Sequence, residues 1–172
     1  TGQLQTSGHW QAQARDVSIR QLDIQGTLRQ QPISATGQLE LVLPKPNGKS
    51  VVSFIPKQFE AKALKLDWAG NSLVADGNAQ RLEAKINAPA LQNIHPSLRG
   101  KITGLATLTG QLDRPDMTLS LDVSQLVAGQ IKIDSAMVRG NVPQLGQMPS
   151  TLTIHADQVI QGTRKIDNVD VS

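Results

Sequence analysis

The chain has no cysteine and no tyrosine, and its 172 residues include only two tryptophans and two phenylalanines. The lack of cysteine excludes disulfides and thiol chemistry. A compact two-layer domain of this size usually fills its centre with bulky rings, so a core of leucine, isoleucine and valine favours a thin, open or curled sheet. The sequence also lacks an apolar run long enough to span a bilayer.

The excess of basic over acidic residues is small as well. The 17 basic and 14 acidic residues leave a formal net charge of +3, and the basic residues are scattered singly along the chain. Nucleic-acid-binding surfaces are typically marked by basic runs or by cations interleaved with aromatic residues, and neither pattern is present. We therefore predict no nucleic-acid partner.

The usual patterns of catalytic and metal-binding residues are missing too. His9, His95 and His155 lie on different segments without the spacing of metal ligands, which favours surface histidines. Glycines fall singly in strands or at turns and do not cluster before a helix to cradle a phosphate. Asp113 and Asp116 flank a proline turn, where carboxylates usually cap backbone N–H groups and keep the surface soluble. The sequence therefore predicts a protein that is not an enzyme and that holds no metal or cofactor.

What the chain does have is a two-residue alternation, clearest from Leu98 to Val142. Apolar and polar side chains take opposite parities there, as in strands with one buried face, and a polar turn at 113–116 separates two of the runs. Similar runs precede and follow this stretch. The pattern predicts a single all-β domain over residues 1–172, built from roughly a dozen short antiparallel strands.

Two segments depart from simple alternation. Between Phe59 and Trp68 the apolar residues move from odd to even positions, which requires a bulge or a bend near Ala63. Over 89–98, apolar residues three and four apart predict one short helix of two or three turns, or a tight helix with a three-residue repeat, kept short by Pro96.

The ends of the sheet follow from the simplest strand order. The first strand, at 2–15, and the last, at 166–171, are then the two edges, and a further strand is predicted at 51–55. Exposed edges carry unpaired backbone groups. We therefore predict self-association through them.

The unit at 98–140 resembles a repeat of a known family. It consists of a glycine-spaced strand, a proline, a second strand and three further apolar residues, namely Gly100, Ile102, Gly104, Leu108, Gly110, Leu112, Pro115, the strand 117–123, Leu126, Ile131 and Ile133. In this form it is similar to the C-terminal region of the TamB family, which is related to the AsmA-like group. The preceding helix and the segment QLDIQGTLRQQPISATGQLEL fit the same family, so the resemblance extends over the whole chain.

This resemblance implies a fold and a role that composition does not. Members of the family are periplasmic filaments of curled β-sheet, anchored in the inner membrane by an N-terminal segment that is absent from this chain. The implied fold is a single curled, mostly antiparallel sheet that forms an open trough with an apolar concave face, a β-taco. The implied functions of this groove are transport of phospholipids between the membranes and assembly of outer-membrane β-barrel proteins such as autotransporters. The implied partners are the outer-membrane barrel TamA, phospholipid acyl chains and unfolded outer-membrane strands.

The candidate groove residues are the larger apolar members of the alternating runs. They are Leu22, Ile24, Leu28, Leu39, Leu41, Leu43, Leu64, Leu66, Leu73, Leu82, Ile86, Ile102, Leu108, Leu112, Leu119, Leu121, Ile131, Ile133, Val138, Leu152 and Ile154. Neighbours of opposite parity are predicted to face water, namely Thr107, Thr109, Ser120 and Lys132. The alternation by itself leaves a second possibility open, a closed barrel or two-sheet sandwich that buries its apolar face against itself and has no groove.

Overall fold

The chain folds into one long meander of β-strands. A computed structural model describes residues 3–13, 16–42, 58–111, 113–146 and 149–172. The strands in these ranges are β1 (Gln3–Gln13), β2 (Asp16–Leu28), β3 (Gln31–Val42), β4 (Gln58–Trp68), β5 (Asn71–Asn78), β6 (Arg81–Ala88), β7 (Leu98–Gln111), β8 (Arg114–Ala128), β9 (Ile131–Val142), β10 (Thr151–Gln161) and β11 (Arg164–Val171). The predicted strand at 51–55 and the candidate residues Leu43 and Leu112 lie outside the described residues.

Each strand pairs antiparallel with the next strand along the chain, in the order β1 to β11. Two-residue turns connect several neighbours, and those at Arg29–Gln30 and Ala69–Gly70 have positive φ at both central residues. Turns of this mirror-image kind match the right-handed twist of the flanking strands. Within the described ranges no pairing joins β1 to β11. The predicted open antiparallel sheet is therefore confirmed, and the alternative of a closed barrel is wrong.

The strands are longer than the short strands predicted from the alternation. Strand β8, for example, runs for 15 residues. Val123 and Leu126 both belong to it and pair with Ala136 and Ile133 of β9, although Gln125 between them has a φ of 51°. A kink of this kind shifts the apolar alternation by one residue without ending the hydrogen-bonded ladder, so one strand has the sequence pattern of two.

The predicted bulge near Ala63 is confirmed. The pairing of β4 with β5 changes register between Ala61 and Leu64, and Ala63 itself has a φ of 47°. Its N–H donates to a carboxylate oxygen of Asp76 at 2.9 Å, which satisfies a donor that the ladder leaves unpaired. On β3, a Cβ at Gly37 would lie 2.6 Å from the Leu64 Cα, so only glycine fits where the two strands approach at this bend.

The helix α1 (Leu91–Ile94) is a single turn of four residues, and the predicted two or three turns are wrong. His95 is already extended, with a φ of −150°, because the ring of Pro96 clashes with a helical conformation at the preceding residue. Leu91 is 5% exposed and anchors the turn. Among the described residues, no helix has the length and apolar character needed to cross a membrane.

A buried asparagine attaches this helix to the sheet. Asn71 is 8% exposed, and its Nδ2 lies 3.2–3.3 Å from the carbonyl oxygens of Trp68, Ala69 and Ala90. Its Oδ1 accepts the Ala90 N–H at 3.1 Å. The β4–β5 turn and the start of α1 are thereby joined through one side chain.

Candidate functional site

An apolar row crosses the sheet from β2 to β11. Directly opposed residues of antiparallel strands place their side chains on the same face, so the register identifies which residues share a face. Successive pairs connect Ile24, Ala35, Leu66, Leu73, Ile86, Gly104, Leu121, Val138, Ile154 and Val171. At a spacing of about 4.8 Å between strands, a row over ten strands is about 43 Å long.

The side of the sheet that carries this row is called the apolar face below. The register brings most of the candidate groove residues onto it, beside or within the row: Leu22, Ile24, Leu28, Leu39, Leu41, Leu64, Leu66, Leu73, Leu82, Ile86, Ile102, Leu108, Leu119, Leu121, Val138, Leu152 and Ile154. Ile131 and Ile133 lie beyond the kink at Gln125, in rows with Ala128 and Leu126.

Sequence reasoning left several residues of the same face out of the candidate set. Phe59, Trp68, Met117 and Val123 pair with members of the face on neighbouring strands. The signal that identifies them was available, because Met117 and Val123 share the parity of Leu119 and Leu121 in β8.

The apolar face has no second layer packed on it. Leu66, Leu73 and Leu152 are 40%, 37% and 50% exposed, and no large side chain of the described residues is fully buried. The solvent-accessible area is 11987 Å², whereas a compact monomer of 18.5 kDa is expected to have about 8,200 Å². A two-sheet sandwich requires a dry core of large side chains, so this alternative is also wrong.

The sheet curves toward its apolar face near the start of β4. A cavity of about 240 Å³ is lined by Phe59 of β4, Leu82 of β6, Leu108 of β7 and Pro115 of β8. In a flat sheet four strand spacings, about 19 Å, separate β4 from β8. Residues of both strands line one small cavity, which indicates that the sheet bends around it.

The opposite face is predominantly polar. One row on it contains Lys65, Val74, Lys85, Leu105, Ser120 and Arg139, and Arg139 forms an ion pair with Asp122 at 3.3 Å. Thr109, Ser120 and Lys132 lie on this face as predicted from parity. Thr107 shares the face but is only 9% exposed, so its predicted exposure to water is wrong; its paired neighbours there are Glu83 and Thr118.

His155 lies on the polar face between two carboxylates. Its Nδ1 is 2.6 Å from Asp170 of β11, and its Nε2 is 3.4 Å from Asp157. The hydrogen bond to Asp170 and the negative charge of that residue raise the pKa of His155 above its ordinary value. The contact with Asp170 joins β10 to β11, whereas Asp157 lies on the same strand as His155. Within the described residues no group of three or more acidic, histidine or cysteine side chains has a metal-binding arrangement.

These features define an open, single-sheet β-protein with one uncovered apolar face and one charged face. The chain belongs to the TamB family: the model of the TamB N-terminal domain matches residues 1–172. The predicted placement in the C-terminal region is wrong. The glycine-spaced strand pair is a local unit with the same alternation as the rest of the sheet, so its pattern identifies the family without locating the unit in a longer chain.

The chain is also similar to part of a longer protein. The chain is 26% identical over 165 residues to the translocation and assembly module subunit TamB of Haemophilus influenzae, an alignment that covers 94% of this chain and 12% of that relative. The chain therefore spans about an eighth of the length of this relative. No solved structure matches it.

Proposed function

We propose that this chain is a non-enzymatic segment of a periplasmic conduit of the translocation and assembly module, and that its apolar face carries phospholipid acyl chains between the inner and outer membranes. The observation that supports the proposal is the apolar row over ten strands, in which Leu66 and Leu73 remain 40% and 37% exposed. An exposed apolar surface of this extent normally marks the place where a ligand or a partner binds.

The chemistry of the face suits acyl chains. The side chains along the row are aliphatic or glycine, so they supply dispersion and hydrophobic contact without hydrogen-bonding specificity. Each methylene removed from water contributes about 0.8 kcal/mol, and this contribution does not depend on where along the row it is buried. A chain can therefore move along such a surface without leaving one deep site.

A second function, assembly of outer-membrane β-barrel proteins such as autotransporters, is favoured by the sheet edges. In the described part of the chain, β1 and β11 each have a single strand neighbour. An unfolded strand can add to such an edge through backbone hydrogen bonds while its apolar side chains lie on the apolar face. The partner in this role is TamA, reached through a longer protein that is anchored in the inner membrane by an N-terminal segment.

The experiment uses two adjacent residues of β8 that lie on opposite faces. Leu119 pairs with Ala106 and Gly140 on the apolar face, whereas Ser120 pairs with Leu105 and Arg139 on the polar face. A photoreactive amino acid is placed at 119 or at 120, the protein is irradiated in cells, and the crosslinked material is analysed for phospholipid and for outer-membrane protein.

The proposal predicts phospholipid adducts at 119 and few or none at 120. Adducts of outer-membrane proteins at 119 without phospholipid favour the second function. Equal crosslinking from both positions contradicts any role of the apolar face, because the two side chains differ in direction and in little else.

A further inference from the structure

The basic residues that are scattered along the sequence gather along one rim of the sheet. In a meander, alternate turns lie at opposite ends of the strands, so the sheet has two rims. One rim contains the turns at 29–30, 69–70, 129–130 and 162–163 together with α1. Within two residues of the strand ends, this basic rim contains Arg29, Arg99, Lys132, Arg164 and Lys165 against one carboxylate, Asp67.

The other rim has the opposite character. Within the same distance of the strand ends, its described side chains include seven carboxylates, Glu40, Glu60, Asp76, Glu83, Asp113, Asp116 and Asp170, against Arg81 and Arg114. The two arginines each lie beside a carboxylate, Arg81 at 2.6 Å from Glu83 and Arg114 at 3.9 Å from Asp113. Among the side chains that the structure describes, the two rims therefore differ in charge.

On the basic rim the cations follow a regular row. Arg99 of β7, Lys132 of β9 and Lys165 of β11 are connected by pairs through Val127 and Ile160. A cation thus appears on every second strand, at intervals of about 9.6 Å. All three side chains are exposed. Among the ion pairs of the described residues, the one that involves this row joins Lys165 to Asp167 at 3.1 Å.

Apolar residues border this row directly. The adjacent row, nearer the turns, contains Leu98, Ala128 and Ile131, and ends at Arg164 on β11. Ile131 is 40% exposed. Lysine and arginine side chains are long enough to lay their methylene stems over such a rim while the charged group stays in water. The row of Arg99, Lys132 and Lys165 points to the polar face, and the row of Leu98, Ala128 and Ile131 to the apolar face. Positive groups and apolar surface therefore approach each other around the rim, where the strands end.

We propose that anionic phospholipids bind with their acyl chains on the apolar face and their phosphate headgroups at the basic rim, which gives the segment a preference for anionic over zwitterionic lipid. This inference rests on the proposed lipid-carrying function and specifies the class of lipid and its orientation. Charge complementarity carries it, since lysine and arginine form strong charge-assisted hydrogen bonds with phosphate. A zwitterionic lipid presents its own ammonium group at the same rim and gains less.

The test compares two fluorescent lipids with identical acyl chains, phosphatidylglycerol and phosphatidylcholine, in binding titrations with the purified 172-residue protein. The rim variant is Lys132→Gln/Arg164→Gln. The charge-matched control is Arg81→Gln/Arg114→Gln on the opposite rim, and circular dichroism verifies that all three proteins retain the sheet.

We expect the rim variant to lose about tenfold in phosphatidylglycerol affinity, with less than a twofold change for phosphatidylcholine. The control variant is expected to keep the wild-type affinities, and added salt to weaken phosphatidylglycerol binding selectively.

Two outcomes overturn the headgroup assignment while leaving the proposed function intact: equal wild-type affinity for the two lipids, or equal effects of the two double variants. Full displacement of phosphatidylglycerol by soluble glycerol phosphate would mean that the acyl chains contribute nothing to binding, which contradicts both the lipid inference and the proposed function. If the rim variant instead loses binding of an acidic, alternating strand peptide and keeps phosphatidylglycerol binding, the basic rim serves protein and the lipid inference is wrong. If the wild-type protein binds neither lipid, the proposed lipid-carrying function fails as well.

Discussion

Replacing Leu73 by aspartate tests whether the apolar face is uncovered. Full burial of a leucine side chain contributes about 1.5–3 kcal/mol, and Leu73 is 37% exposed. The substitution should therefore remove about two thirds of that contribution, about 1–2 kcal/mol of the free energy of unfolding. The new carboxylate remains in contact with water, so no large desolvation cost is added. The measurement is urea unfolding followed by circular dichroism in the β-sheet band.

Leu91→Asp provides the matched control, because Leu91 is 5% exposed beneath α1. An aspartate there must lose its hydration or expel the helical turn, and we expect a loss of about 4 kcal/mol or more. Equal, large losses for Leu73→Asp and Leu91→Asp would refute the reasoning, because they would mean that the apolar face is as dry as a closed core.

Three further predictions concern individual contacts. Asn71→Ala should lower the free energy of unfolding by about 2–3 kcal/mol in urea titrations, because its four close contacts include the Ala90 N–H; a loss below about 0.5 kcal/mol would mean that water replaces the amide. The pKa of His155 is raised from 6.5 by Asp170, so its contribution to stability is complete below pH 6.5 and is lost as pH rises through the folded-state pKa. Melting temperatures from pH 5.5 to 9 should thus fall more for the wild type than for His155→Gln, and parallel curves would contradict this. Gln125, at a φ of 51°, should tolerate glycine, whereas Gln125→Val should cost about 1–2 kcal/mol in the same titrations; equal stability of both variants would exclude strain at the kink.

Alternation was a reliable guide to the sheet and a poor guide to strand length. The run Met117 to Val123 indicates one half-buried strand, and the structure continues the same strand to Ala128. The bend at Gln125 depends on a left-handed backbone conformation that glutamine adopts only when neighbouring strands hold it there. At Ala63 the prediction succeeded because the parity change falls within a short run that ends at the Ala69–Gly70 turn. The helix was overestimated because the spacing of Leu91, Ile94 and Leu98 is helical, while Pro96 forces the intervening backbone into an extended form.

The sequence by itself determined the all-β class, the antiparallel meander and which side chains share a parity, because these follow from a two-residue period and from turn chemistry that acts over a few residues. Only the tertiary structure decided that the apolar face stays uncovered. It also brings Arg99, Lys132 and Lys165 into one row, although the first and last of them are 66 positions apart in the sequence. Open and closed sheets have the same alternation, and they differ in how the pairing ends at β1 and β11 and in how far each kink bends the strands. Those quantities are set by contacts between strands, which the local pattern of a single strand does not contain.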